Sequence, residues 1–220
     1  MRIIQISGKG RVGKTTLAKF IQAEAFNLGY IPMILPFALA IKDSAAAAGI
    51  TKEGDSTKYR DFCQELGATM RKREPDHWVT KTYNRIQEYM MMEVKNKQEK
   101  KKFFEYVLIQ DDVRYMNELA LGRDLVAYQI FLDSAKRKLE EHDAPWRTHE
   151  SELLANTVET AFSSPTNNDY DALFDLFLSN GSNLKALETE VKRSLPDWLD
   201  VGFLDLEELD ESEFPPESYT

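Results

Sequence analysis

One stretch narrows the possibilities more than any other: Gly8-Lys9-Gly10-Arg11-Val12-Gly13-Lys14-Thr15 matches G-x-x-x-x-G-K-[ST] without deviation. The residue types follow from the task. Glycines let the backbone curl until successive N–H groups point at one phosphate, and a helix starting at the loop adds the positive end of its dipole. Lysine reaches the outer phosphate oxygens, and the threonine hydroxyl ligates Mg²⁺. The context agrees. Arg2 to Ser7 is a β-branched run suited to a buried parallel strand, and Leu17, Phe20, Ile21, Ala25 and Leu28 recur at helical spacing up to Gly29. Gly8, Lys9, Gly10, Arg11, Val12, Gly13, Lys14, Thr15 and Thr16 are thus expected to cradle a nucleoside triphosphate with Mg²⁺.

The rest of the chain alternates. Strands are expected over Ile31 to Phe37, Phe104 to Gln110, Leu125 to Leu132 and Tyr170 to Leu178; helices over Leu39 to Ala48, Thr57 to Met92 with a break at Glu74-Pro75, Met116 to Leu121 closed by Gly122, and Leu184 to Leu195. That pattern predicts a three-layer α/β phosphate-loop fold with a mainly parallel sheet, a helical insertion at about 52–95 and a polar, lid-like segment at about 133–150. At 220 residues with 42% hydrophobic content, one domain with a sizeable core is the default.

The net charge of −9 is localised. Nine acidic residues and no Lys or Arg lie between Asp197 and Thr220, and removing them leaves 28 acidic against 28 basic residues over 1–196. The expected division is therefore a neutral domain at 1–196 and an acidic tail at 197–220. Apolar residues such as Trp198, Leu199 and Phe203 suit the tail's first half to docking on the body or a partner, and the second half reads as disordered. A neutral body argues against stable nucleic-acid binding by bulk charge. No apolar stretch reaches about 20 residues, no secretory signal is evident, and a lone Cys63 makes neither an internal disulfide nor a Cys-based metal site. A cytoplasmic protein is expected; the sequence does not fix an oligomeric state, and base rates allow a homodimer.

Other motifs discriminate among phosphate-loop proteins. Asn96-Lys97-Gln98-Glu99 lacks the Asp of a guanine-selecting Asn-Lys-x-Asp element and follows no strand, and no Asp-x-x-Gly switch precedes the Phe104 strand. A GTPase is disfavoured. A small-acceptor kinase needs an acidic group near the metal and cations over the phosphates. Asp111 and Asp112 at a strand end, with Arg114 two residues on, supply the first; Lys136, Arg137, Lys138 and Arg147 in the polar segment supply the second.

With these residues in view, the chain resembles the deoxynucleoside monophosphate kinases of tailed bacteriophages, within the phosphate-loop nucleoside monophosphate kinase group. The resemblance runs in order through the phosphate loop, Phe37-Ala-x-x-x-Ile41-Lys42-Asp43, Arg60-x-x-x-Gln64-x-Leu66-Gly67 followed by Asp76 and Trp78, Asp112-x-Arg114 with Glu118, His149-x-Ser151-Glu152, and Phe174 to Leu187. It implies transfer of the γ-phosphoryl of ATP to a deoxynucleoside 5′-monophosphate, with Mg²⁺, in the cytoplasm of an infected host cell. Carried over, Lys14, Asp112, Arg114, Arg137 and Arg147 are the catalytic candidates, and Thr15 and Asp112 the metal candidates. Lys42, Arg60, Gln64, Trp78 and Arg114 are the acceptor-binding candidates. Where the family starts its lid with an Arg-Pro-like pair, this chain reads Leu132-Asp-Ser-Ala-Lys-Arg137. Competing readings are a phosphate-loop kinase for another acceptor, such as a modified base in DNA, and a non-catalytic nucleotide-binding protein.

Overall fold

The computed structural model describes residues 1–99, 105–133, 152–162, 173–181 and 183–204. The elements, in chain order, are β1 (Arg2–Ser7), α1 (Lys14–Asn27), β2 (Ile31–Ile34), α2 (Leu39–Ala47), α3 (Ser56–Arg73), α4 (His77–Gln98), β3 (Tyr106–Val113), α5 (Met116–Asp124), β4 (Tyr128–Asp133), α6 (Leu153–Phe162), β5 (Leu176–Ser179) and α7 (Leu184–Val201). The strands form one parallel sheet in the order β2-β3-β1-β4-β5. Helices cover both faces, as a parallel sheet requires.

Side-chain alternation makes the layers. Ile4 and Ile6, Val107 and Ile109, and Ile130 and Leu132 face α1 and α7, where Leu17, Ile21, Val191 and Leu195 meet them. Ile3 and Leu108 face the other way, onto Ile86 and Met90 of α4, and Val113 and Phe131 pack with Leu119 of α5 and Leu154 and Val158 of α6. Because β1 runs to β2 through α1 on one face and β3 runs to β4 through α5 on the other, a crevice opens at the carboxyl ends of β1 and β3. In open α/β sheets this is where ligands bind.

Strands β2, β4 and β5 are shorter at one end than expected and α4 runs on to Gln98; three further differences matter more. First, β3 does not stop at Gln110 but continues to Val113. Its register against β1 slips between Gln5 and Ser7, so that Gln5 pairs with Gln110 while Ser7 pairs with Val113. One extra residue on β3 is a bulge, and bulges re-aim side chains. Here the bulge carries Asp111 and Asp112.

Second, Gly122 does not close α5 but lies within it. A Cβ there would sit 2.0 Å from Gln5 Oε1. Gln5 lies in a buried amide row: its Nε2 donates to Gln110 Oε1 at 2.8 Å and to the Glu118 carbonyl at 3.0 Å, while Gln129 Nε2 donates to Gln5 Oε1 at 3.0 Å and to the Leu119 carbonyl at 2.8 Å. The glycine is there for close packing of helix on sheet.

Third, the last helix does not end before Pro196. It runs to Val201, because Trp198 and Leu199 continue the apolar face of Val191 and Leu195 at helical spacing. A proline inside a helix costs about 3 kcal/mol. Burying a tryptophan and a leucine returns about 1.5–3 kcal/mol each, which covers it. Trp198 stacks on Tyr128 with centroids 5.8 Å apart, Ile3 N–H donates to the Gly202 carbonyl at 3.0 Å, and Leu204 N–H donates to the Met1 carbonyl at 2.9 Å. The acidic segment therefore begins inside the folded body, and residues 205–220 lie outside the described part. Among the described residues, no helix is long and apolar enough to cross a membrane.

Candidate active site

The loop between β1 and α1 is shaped by two glycines with positive φ, Gly8 at 136° and Gly13 at 105°. A Cβ on Gly8 would lie 2.2 Å from the Leu132 carbonyl oxygen, and one on Gly13 would lie 2.7 Å from the Asn180 amide nitrogen. Substitution at Gly8 is barred twice, by backbone conformation and by a backbone oxygen; at Gly13 the backbone conformation opposes it and the Asn180 amide would have to move. Asn180, in the turn after β5, donates from Nδ2 to the Val12 carbonyl at 2.9 Å and braces the loop from outside. Helix α1 begins at Lys14 with Gly13 as its N-cap and carries no side-chain cap. Its first amides are left to an anion.

Lys14 is 7% exposed and donates to the carbonyls of Gly8 at 2.6 Å and Lys9 at 2.7 Å. Burial, and next the Arg114 charge, pull its ammonium down to about 7, against the upward pull of Glu152, Asp112 and Asp111. A polyphosphate would supply the missing negative charge. Thr15, the next residue, is exposed and donates from Oγ1 to Asp111 Oδ2 at 2.8 Å. Asp112 turns the other way across the bulge. Its two oxygens accept from Phe37 N–H at 2.7 Å and Ala38 N–H at 3.0 Å, fixing the chain that enters α2. Burial raises the Asp112 pKa, with Lys42 opposing.

Arg114 follows β3. Its guanidinium pairs with the Glu152 carboxylate, whose other oxygen accepts from Gly10 N–H at 2.8 Å. Its backbone N–H donates to Glu118 Oε2 at 2.8 Å. Glu118, 2% exposed, also receives Arg71 Nη2 at 3.4 Å and Tyr115 N–H at 3.2 Å, and Arg71 lies 3.8 Å above the Tyr115 ring. Burial, then repulsion from Asp112, raise Glu118 to about 7, against the Arg114 amide, Arg71 and the Tyr115 amide.

The sequence-predicted residues fall into three groups. The crevice brings together the phosphate loop, Thr15, Asp111, Asp112 and Arg114. Lys42 stands exposed on α2, within electrostatic reach of Asp112, while its neighbour Asp43 pairs with Arg85 at 2.7 Å. On α3, Arg60 is exposed and Gln64 half-buried; Trp78 is buried and donates from Nε1 to the Gly67 carbonyl at 3.1 Å, locking α4 to α3. Arg137 and Arg147, with Lys136, Lys138 and His149, lie outside the described residues. Two residues beside the loop and Arg114 lie outside the sequence expectations for the site, Arg71 and Glu152. Arg71 repeats the spacing of Arg60, Gln64 and Gly67 on one helical face, a signal that was available; the reach of Glu152 to Gly10 had none, since 142 residues separate them.

Thr15 and Asp111 offer hard oxygen donors side by side at a phosphate loop. Mg²⁺ prefers one or two such groups completed by phosphates and water, so the residues present fit that ion. No group of three or more His, Cys, Asp or Glu side chains placed to hold a metal occurs among the described residues.

No protein-family model matches the chain, and no curated protein sequence does. Among solved structures it is similar to the 1.7 Å crystal structure of shikimate kinase from Bacteroides thetaiotaomicron, with a TM-score of 0.43 and 12% identity over 89% of this chain and 98% of that one.

Proposed function

We propose that the protein is an ATP-dependent phosphotransferase that moves the γ-phosphoryl group to a deoxynucleoside 5′-monophosphate. The observation that carries the nucleotide half is the hydrogen bond from Thr15 to Asp111 at 2.8 Å, beside Lys14 and the uncapped start of α1. Polyphosphate donors, an oxygen-lined metal position and a buried cation meet at one point. Asp111, with Thr15, is the metal-side acid, and Asp112 positions α2 for the acceptor. Bound Mg²⁺ would neutralise charge on the phosphates.

The acceptor half is supported by the ordered motifs of the sequence and by the cations Lys42 of α2, Arg71 of α3 and Arg114 just after β3. They suit a phosphate ester. Lys14 holds the donor phosphates, and Arg114 lies between loop and acceptor flank, where charge develops during transfer. In-line transfer needs positioning and charge neutralisation rather than a protein nucleophile, so no residue is assigned as one.

The test is ADP release from ATP and Mg²⁺ with each deoxynucleoside monophosphate, and with single- and double-stranded DNA. Turnover with at least one mononucleotide is expected. Turnover with DNA alone would reassign the acceptor, and no acceptor-dependent turnover would favour a non-catalytic nucleotide-binding protein.

A further inference from the structure

Glu152 is 3% exposed, yet its carboxylate is divided between two donors that a nucleotide would also use. Oε2 accepts from Gly10 N–H, an amide of the phosphate loop, at 2.8 Å, and Oε1 pairs with the Arg114 guanidinium. Of the anions around Lys14, Glu152 acts on its ammonium most strongly. A carboxylate bridging a loop amide and an arginine, close to the loop lysine, presents negative charge and two acceptor oxygens to the same kinds of donor that bind a terminal phosphate. It is also delivered by a seated element. Glu152 immediately precedes α6, whose Leu154, Ala155 and Val158 are buried with Val113, Leu119 and Phe131.

We propose that Glu152 is an internal occupant of the terminal-phosphate position, and that a bound triphosphate displaces it and frees Arg114 for the transferring group. The inference rests on the phosphotransferase reading and adds to it. Gly10 stands in the outer half of the loop, three residues before the Gly13 N-cap of α1, so a ligand that ends at its second phosphate fills the amides at the start of α1 and leaves Glu152 in place. A third phosphate does not. Glu152 is in this account a positioning residue: it acts through Arg114 and the loop, and leaves when substrate arrives.

The consequence is a bias in ligand length. If Glu152 leaves the competent state only fractionally populated, the apparent affinity for triphosphate is reduced by that fraction, and removing the carboxylate restores it. Calorimetric titration of the full chain with ATP and with ADP, both with Mg²⁺, tests this in wild type, Glu152→Gln and Glu152→Ala. Both variants should shift the ratio of the two dissociation constants about tenfold toward ATP. In the unaltered protein, the Arg114 side-chain N–H resonance should move on adding ATP but not ADP, a readout that does not depend on how a variant folds. Equal changes for the two nucleotides, or weaker ATP binding in both variants, would overturn the proposal by making Glu152 a support that stays with the nucleotide. Binding of no nucleotide by wild type or variants would overturn the phosphotransferase reading and this one together.

Discussion

The two flanks of the crevice are built differently. On the loop side, Lys14 is buried and its ammonium held by the Gly8 and Lys9 carbonyls, Gly10 N–H is taken by Glu152, and Asn180 clamps Val12. On the acceptor side, Lys42 and Arg60 stand exposed on helical faces, and the packing beneath them is carried by Trp78 and Gly67. The loop's polar groups are already held by the protein's own partners. The acceptor flank adds exposed cationic side chains, Lys42 and Arg60, that a ligand would have to order, with the entropy loss that entails. One flank should fail abruptly when altered and the other gradually.

The largest contrast sets Lys14→Ala against Arg60→Ala. Removing Lys14 should lower ATP turnover on the order of a hundred- to a thousandfold with no loss of melting temperature, since the ammonium is buried at a cost in the free protein. Arg60→Ala should raise the acceptor KM about tenfold and leave kcat near wild type. Steady-state kinetics with both substrates varied decides it, and similar losses from the two variants would erase the distinction between the flanks.

A smaller contrast separates the two aspartates at the bulge. Asp111→Asn should raise the Mg²⁺ concentration for half-maximal turnover about 10- to 100-fold with a normal thermal melt. Asp112→Asn should cost about 1–3 kcal/mol of stability, because the Phe37 and Ala38 amides lose a charged acceptor, with little change in Mg²⁺ requirement. If Asp112→Asn proves the metal-sensitive variant, the assignment of Asp111 fails.

The smallest effect is read in pH. Glu118 has a folded pKa of about 7 against an ordinary 4.5, so the folded state holds an extra proton between those values. A group that binds more protons when folded loses stability as pH rises through that window, by about 3 kcal/mol at most here. Chemical denaturation at pH 4.5 and pH 7.5 should show that slope in wild type and a flatter one in Glu118→Gln. An unchanged slope would remove Glu118 as the titrating link between α3 and Arg114.

Legibility in the sequence followed how local each feature is. The phosphate loop, β1 and α1 were readable because their information lies in consecutive residues, and the Glu74-Pro75 break falls where α3 gives way to α4. The bulge at Asp111 and Asp112 was not, since register is a property of two strands and its signal is a pairing of Ser7 with Val113. In sequence Gly122 reads as a stop because a glycine near a helix end usually is one; only the neighbouring Gln5, 117 positions away in the chain, shows what it is for. Pro196 misled for a similar reason. Local propensity favours a boundary there, and the tertiary burial of Trp198 and Leu199 outweighs it.

The docking of Gly202 and Leu204 on the chain's first strand has a temporal side. The strand that feeds the phosphate loop finds its partners in β3, β4 and the end of α7, all more than a hundred residues downstream. Such non-local closure slows folding, because loop entropy is lost before contacts return it. During synthesis, then, the most recognisable stretch of this sequence waits for its partners: the loop-bearing strand has no sheet to join until β3 emerges and is not sealed until residues 202–204 do.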